Sequence, residues 1–145
     1  MIGETYKLHE FEDATVFWFT SEGEKGSISK IILISPKEGN VWNLGFGDFR
    51  EGEIHDSVIS NNMDLRRVMS TVANAVYRFF DAHPNQTIFI QPIDTRRKTL
   101  YNLIFQKRGH EILPLFQVHG WIADRKEPYN KDKIYDAFEI TPKNR

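Results

Sequence analysis

Apolar residues recur at helical spacing in the middle of this chain, and that pattern limits the fold more than any other feature. They are Leu65, Val68, Met69, Val72, Val76, Phe79 and Phe80. Such a stripe is typical of an amphipathic helix with one face on a core. Asn61 and Asp64 lie where a capping box would begin this helix, and His83-Pro84 would end it. We therefore expect a helix over 64–80, and its residues expected to be buried against a sheet are Val68, Val72, Val76 and Phe79.

Segments typical of strands lie on both sides of this helix, separated by turns that contain Gly or Pro. The predicted strands are 5–11, 14–20, 28–34, 40–46, 54–60, 87–91, 115–122 and 135–141. Asp94 is placed to cap a second helix over 95–107, which Gly109 would end. The turn-rich stretch 21–26 is expected to be a longer hairpin loop, and the polar stretch 124–133 a link between strands.

This order of elements predicts one α+β domain that spans residues 1–145. Five strands, then a helix, a strand, a helix and two strands favour a mostly antiparallel sheet with two helices. The central strand–helix–strand part is expected to be a βαβ crossover between parallel neighbouring strands.

Composition excludes several classes of function. The chain has no Cys, which excludes disulfides, thiol catalysis and Cys-type zinc sites. The five His residues have no spacing typical of a ligand pair, so no metal site is predicted. The longest apolar run, 31–34, is too short to cross a membrane, and the first ten residues lack the apolar segment of a secretory signal. These features predict a cytoplasmic protein without membrane contact.

Charge is distributed unevenly along the chain. Residues 1–64 hold 5 Lys or Arg and 12 Asp or Glu, which gives a net charge of −7. Residues 65–145 hold 14 Lys or Arg and 8 Asp or Glu, which gives a net charge of +6. Such a split indicates either a surface that binds an anion or two solvated faces of opposite charge. Nucleic acid is an unlikely partner because the pI is about 6.5 and no nucleic-acid-binding motif is present.

The beginning of the first predicted helix is the best candidate site. Backbone N–H groups are free there and the helix dipole is positive, so an anion is favoured, and the start of the second helix adds further basic residues. The candidate binding residues are Asn61, Asn62, Asp64, Arg66, Arg67 and Arg97, and Asp56 is a candidate catalytic residue. The alternative is that Asn61 and Asp64 are only helix caps and that the arginines face solvent.

From Ile54 onward the order of elements resembles the second half of the GNAT (Gcn5-related N-acetyltransferase) fold, β-α-β-α-β-β. The stretch DTRRKTLYNLIF at 94–105 is similar to the family's fourth-helix pattern, in which Leu100 and Tyr101 match. This resemblance implies acetyl-coenzyme A as cofactor and Tyr101 as general acid toward the departing thiolate. The family's glycine-containing pyrophosphate loop has no counterpart in 60–67.

A closer resemblance, to an uncharacterised bacterial family, covers nearly the whole chain. It rests on NLGFGD at 43–48, SNN followed by Asp64, TVANAV at 71–76, and Arg97 followed by Leu100 and Tyr101. It implies that the chain shares this family's fold and its bacterial cytoplasmic origin, but the family has no established activity to carry over. Two functions stay open: binding of an anionic small molecule of acyl-coenzyme A or nucleotide type with acyltransferase chemistry, or a non-catalytic protein-interaction module of toxin–antitoxin or defence type that has lost the cofactor. A homodimer is also left open.

Overall fold

The structure, a computed structural model, describes residues 4–55 and 64–143. Within them, strands and helices follow in the order β1 His9–Phe11, β2 Val16–Gly23, β3 Gly26–Glu38, β4 Val41–Arg50, β5 Glu53–His55, α1 Leu65–Ala82, β6 Thr87–Ile90, α2 Thr95–Ile112, β7 Phe116–Ile122, β8 Arg125–Pro128 and β9 Ala137–Pro142. The chain divides into two compact units. We call 4–35, 44–55 and 64–83 the N-terminal unit, and 36–43 and 84–143 the C-terminal unit.

The N-terminal unit is an antiparallel arrangement of strands together with α1. β2 pairs with β1 on one side and β3 on the other, and β5 pairs with β4. Phe17 and Phe19 of β2 and Ile32 of β3 are fully buried and form the core with the buried face of α1. The predicted longer loop at 21–26 is wrong, because pairing continues to Gly23 and Gly26, and Gly26 adopts a φ of +87° that favours glycine.

Helix α1 confirms the strongest sequence prediction, although its buried face is rotated relative to the expected stripe. Val68, Val76 and Phe79 are buried as expected, but Val72 is only half-buried. The buried face also includes small and hydroxyl residues that the apolar stripe does not reveal, namely Ser70, Thr71, Ala73 and Ala75. Because these side chains are small, the helix can bury them without a large apolar group at each position.

The C-terminal unit is a mixed sheet with α2 on one face. Its strand order is β4-β6-β9-β7-β8, in which β4 and β6 are parallel and the other pairs are antiparallel. Asn102 of α2 accepts from the backbone N–H of Tyr135 at 2.8 Å and donates to its carbonyl at 2.9 Å. The Phe105 and Phe138 rings stack at a centroid distance of 4.3 Å. These contacts fix α2 on β9 and on the segment before it.

The predicted fold class, a mostly antiparallel sheet with a GNAT-like β-α-β-α-β-β half, is wrong. Strands dominate the described residues, nine against two helices, and the sheet is mixed. The predicted link 124–133 contains β8, which pairs with β7. Its charged side chains are typical of a strand at a sheet edge, which is why the composition suggested a loop. β5 pairs antiparallel with β4. The parallel neighbour of β6 is β4 and not the predicted strand 54–60, so the predicted βαβ crossover is wrong.

Helix α2 begins as predicted and ends later. Asp94 caps it by accepting from the backbone N–H of Arg97 at 2.8 Å, which confirms the predicted cap. The helix then continues through Gly109 to Ile112, because Gly109 is buried inside it and lies against the side chain of Leu113. Neither described helix is long and apolar enough to span a bilayer.

Candidate functional site

The carboxylate of Asp64 lies at the beginning of α1 but does not cap the helix. Its Oδ2 atom instead accepts hydrogen bonds from the Tyr6 hydroxyl, at 2.6 Å, and from Ser21 Oγ. Tyr6 precedes β1, and Ser21 belongs to β2. Asp64 therefore ties the beginning of α1 to two other parts of the N-terminal unit.

The hydroxyls around Asp64 form a structural anchor and not an acid–base centre. Tyr6 is buried, and its hydroxyl also accepts from the backbone N–H of Glu22 at 3.1 Å. Burial and the hydrogen bond to Asp64 raise the pKa of Tyr6, so the phenol keeps its proton and donates it to the carboxylate. Ser21 is fully buried, which leaves its hydroxyl out of reach of a substrate.

Arg67, in the first turn of α1, has a partly exposed side chain that is held in place by three contacts. Its guanidinium stacks over the Tyr6 ring at 4.1 Å from the centroid. It donates to the Thr5 carbonyl at 3.3 Å and forms an ion pair at 3.4 Å with Glu4, a side chain that is 78% exposed. Its buried Nε–H finds no acceptor among the residues described. One directional donor of this guanidinium is therefore unused, on a side chain that is 41% exposed.

The first turn of α1 adds to this positive field. It contains no acidic residue, and the Asp64 side chain that would cap it is turned toward Tyr6 and Ser21. The N–H groups at the beginning of a helix carry partial positive charge and bind anions. Arg67 and the N–H groups of the helix start thus lie together at the beginning of α1, where the Asp64 carboxylate offsets part of their positive charge.

The structure brings only part of the predicted site together. Asp64 and Arg67 lie in the N-terminal unit beside Tyr6, and Arg66 is exposed on α1. Arg97 lies in the C-terminal unit, where it pairs with its own helix cap Asp94. The predicted residues Asp56, Asn61 and Asn62 lie outside the described residues.

Tyr101, the predicted general acid, is half-buried on α2 of the C-terminal unit. That role was implied by a GNAT-like order of elements in which 54–60 and 87–91 are parallel neighbours, whereas the parallel neighbour of β6 is β4. Its catalytic role stays a prediction.

Sequence reasoning missed Tyr6, Ser21 and Glu4. Tyr6 and Ser21 are 58 and 43 residues away from Asp64, so no local spacing connects them. A weak signal was the presence of Ser21 at the end of an otherwise apolar strand, since a buried hydroxyl needs a partner.

A second polar feature of the N-terminal unit is a buried ion pair. Lys30, in β3, donates to Asp48 of β4, and their side chains are only 3% and 1% exposed. Arg50 binds the other carboxylate oxygen of Asp48 at 3.0 Å from a 61% exposed position. Among the described residues, Lys30 and Arg50 both pair with Asp48, and Lys30 is closed to solvent. No group of three or more His, Asp or Glu side chains able to hold a metal occurs among the described residues.

Tyr135 organises a polar cluster in the C-terminal unit. Its hydroxyl donates to Glu127 at 2.9 Å and accepts from the backbone N–H of Asn130 at 2.9 Å. Lys133 donates to the same Glu127 carboxylate at 2.9 Å. Burial raises the pKa of Tyr135, and the hydrogen bond to Glu127 raises it further. The cluster holds the 129–136 segment against the sheet with a protonated phenol at its centre.

Acid should weaken this cluster. Hydrogen bonds from Lys133 and then Tyr135 lower the pKa of Glu127 from its ordinary value of 4.5. Because the folded-state pKa lies below the unfolded one, the stabilisation is complete above about pH 4.5 and is lost as the pH falls through the folded-state value. Glu127→Gln should therefore reduce the drop in the urea unfolding midpoint between about pH 6 and about pH 3. An unchanged drop would show that Glu127 does not contribute to acid sensitivity.

Comparison with known proteins agrees with one of the two resemblances. Residues 3–143 match a family described as "Family of unknown function (DUF6934)". No curated protein matches the chain, and no solved structure matches it. The expected membership of an uncharacterised family is confirmed, and the expected bacterial origin stays a prediction.

Proposed function

We propose that this chain, which belongs to the family of unknown function DUF6934, binds an anionic small molecule of nucleotide or acyl-coenzyme A type at the beginning of α1. The observation that carries the proposal is the unused Nε–H of Arg67 beside a helix start that Asp64 does not cap. A phosphate group offers both the negative charge and the acceptor oxygens that these groups require.

The geometry of Arg67 favours a directional anion over a diffuse counterion. The Tyr6 ring beneath the guanidinium limits its rotation, and Tyr6 is itself held by Asp64 and by Thr71, which accepts from the Tyr6 backbone N–H at 2.8 Å. A guanidinium fixed in this way loses little conformational freedom when it binds a phosphate. We do not extend the proposal to acyl transfer, since the order of elements that suggested it is wrong.

Thermal unfolding in the presence of coenzyme A or ADP tests the proposal. A ligand at ten times its dissociation constant stabilises the native state by about 1.4 kcal/mol, which should raise Tm by roughly 3–6 °C. Arg67→Ala should remove that rise. Arg78→Ala is the matched control, because Arg78 lies on the same helix, is 40% exposed and pairs with Glu10 at 3.5 Å, much as Arg67 pairs with Glu4.

Two outcomes would overturn the proposal. If neither ligand raises Tm of the unmodified protein, the interaction-module function is favoured instead. If Arg67→Ala retains the rise, the ligand binds elsewhere.

Removing the charge of Glu4 should strengthen ligand binding. Glu4 forms an ion pair with Arg67 and so competes with an anionic ligand for it. An exposed ion pair of this kind is worth about 0.2–1 kcal/mol. Glu4→Gln should therefore lower the dissociation constant of ADP by up to about fivefold, as measured by calorimetric titration. Glu10→Gln, which removes the equivalent partner of Arg78, should leave the constant unchanged. Weaker binding by Glu4→Gln would mean that Glu4 does not compete with the ligand.

A further inference from the structure

A second group of polar side chains lies in the C-terminal unit, on the face of its sheet opposite to α2. Successive residues of a strand point to opposite faces. Val118 and Gly120 of β7 are buried, Gly120 lies under the Tyr135 ring, and the Tyr135 backbone is hydrogen-bonded to Asn102 of α2. His119 and Trp121 therefore share the other face.

The neighbouring strands place charged residues beside them. Register pairs His119 with Glu139 of β9, and Trp121 with Lys126 of β8. The Lys126 ammonium lies 3.0 Å from Glu139 Oε2 and 5.9 Å from the centroid of the Trp121 ring. Since β7 lies between β8 and β9, the Lys126 side chain crosses β7 to reach Glu139.

Two ring nitrogens on this face lack hydrogen bonds. Trp121 Nε1 and His119 Nδ1 are both buried, and neither has a partner among the residues that the structure describes. An indole N–H can only donate, so Trp121 requires an acceptor. Buried polar groups without partners are rare in folded proteins. Trp121 Nε1–H therefore calls for an acceptor, and His119 Nδ1 for a hydrogen-bond partner, that the described residues do not supply.

We propose that this face binds a compact oxyanion, a carboxylate or phosphate group, between Trp121 Nε1, His119 and Lys126. In the structure described, the Glu139 carboxylate takes the place of that anion on Lys126. Binding would move the Lys126 ammonium away from Glu139 and toward the bound anion.

The balance of donors and acceptors favours an anion over a cation. Trp121 and Lys126 supply only donors, and the His119 imidazole supplies one N–H donor in either neutral tautomer. Glu139 supplies acceptors on this face, and its Oε2 already binds Lys126. On the neighbouring strand β6, Phe89 pairs with Glu139. The Lys37 ammonium lies 4.3 Å from the centroid of the Phe89 ring. This second cation adds to the attraction for an anion.

This site is separate from the one proposed at Arg67. It lies in the other unit and shares no residue with it, so either proposal can fail without the other. Glu139 is 15% exposed and Lys126 43%, so a ligand can reach the ion pair from solvent.

The indole N–H of Trp121 reports directly on this site in a ¹H–¹⁵N NMR spectrum. Trp121→Phe identifies its resonance among the three indole signals. Titration with inorganic phosphate and, separately, with acetate, at constant ionic strength set with sodium chloride, should move that resonance to a saturable limit. The anion that gives the lower dissociation constant identifies the ligand class.

Variants of Lys126 separate binding from general charge effects. Lys126→Met should weaken binding at least about tenfold, the loss of one charge-assisted hydrogen bond. Lys133→Met is the matched control, because Lys133 is similarly exposed and pairs with Glu127 at 2.9 Å, and it should leave binding unchanged. Glu139→Gln should tighten binding, since it removes the competing carboxylate. A Trp121 resonance that does not respond, or that responds equally in Lys126→Met, would overturn the proposal.

Discussion

Gly120→Ala should destabilise the protein by about 3–4 kcal/mol, the cost of forcing extra volume into a packed core together with a lost hydrogen bond. A Cβ atom at this position would lie 2.2 Å from Cδ1 and 2.4 Å from Cγ of Tyr135. These atoms are close to the backbone of a fully buried side chain, so the whole ring must move. Its hydroxyl would then lose the bonds to Glu127 and Asn130.

Gly109→Ala is the matched control for this prediction. Its added Cβ would meet the Leu113 side chain at 3.5 Å, an ordinary contact, and alanine is favoured over glycine inside a helix by up to about 1 kcal/mol. Urea denaturation should show opposite changes in the free energy of unfolding for the two variants. Equal free energies of unfolding for Gly120→Ala and the unmodified protein would contradict the described packing of Tyr135.

Asp48→Ala should cost about 3–5 kcal/mol, because it removes the buried carboxylate that pairs with the Lys30 ammonium. Lys30 is 3% exposed, so water cannot replace the carboxylate. Lys30→Met should cost less, since Asp48 keeps Arg50 at 3.0 Å. The expected order of free energies of unfolding is therefore unmodified protein, Lys30→Met, then Asp48→Ala.

The double variant Lys30→Met with Asp48→Leu serves as the control. It removes both charges and retains side-chain volume, a change that is often close to neutral in protein cores. It should be more stable than Asp48→Ala alone in urea denaturation. If both variants lose the same free energy, the cost comes from side-chain volume at position 48 and not from an unpaired charge.

The elements with strong periodicity could be predicted from sequence. α1 was predictable because apolar residues at three- and four-residue spacing leave few alternatives. The Asp94 cap was predictable because Asp is favoured at the N-cap, although Asp64 shows that tertiary contacts can override this preference. β8 was missed because an edge strand needs no apolar side chains to form. The pairing of β6 with β4 was missed because no local signal specifies which strands become neighbours.

The candidate site was predictable only in part for the same reason. The position of Arg67 in the first turn of a helix followed from the apolar stripe. Its contact with the Tyr6 ring did not, because Tyr6 is 61 residues away and only tertiary packing brings the two together. Asp64 was predicted to cap α1, but its carboxylate instead accepts hydrogen bonds from the Tyr6 and Ser21 hydroxyls. These hydroxyls compete successfully with the helix N–H groups for the carboxylate.

Binding of an anion by Arg67 is the central claim, and the Nε–H resonance of Arg67 tests it most directly. Arg67→Lys identifies that resonance by its absence from a ¹H–¹⁵N spectrum of the arginine side chains. Because this N–H has no acceptor among the described residues, titration with ADP or coenzyme A should shift it strongly downfield as a hydrogen bond to phosphate forms, whereas the Arg78 resonance should stay in place. An Arg67 resonance that stays unchanged at ligand saturation would contradict the claim.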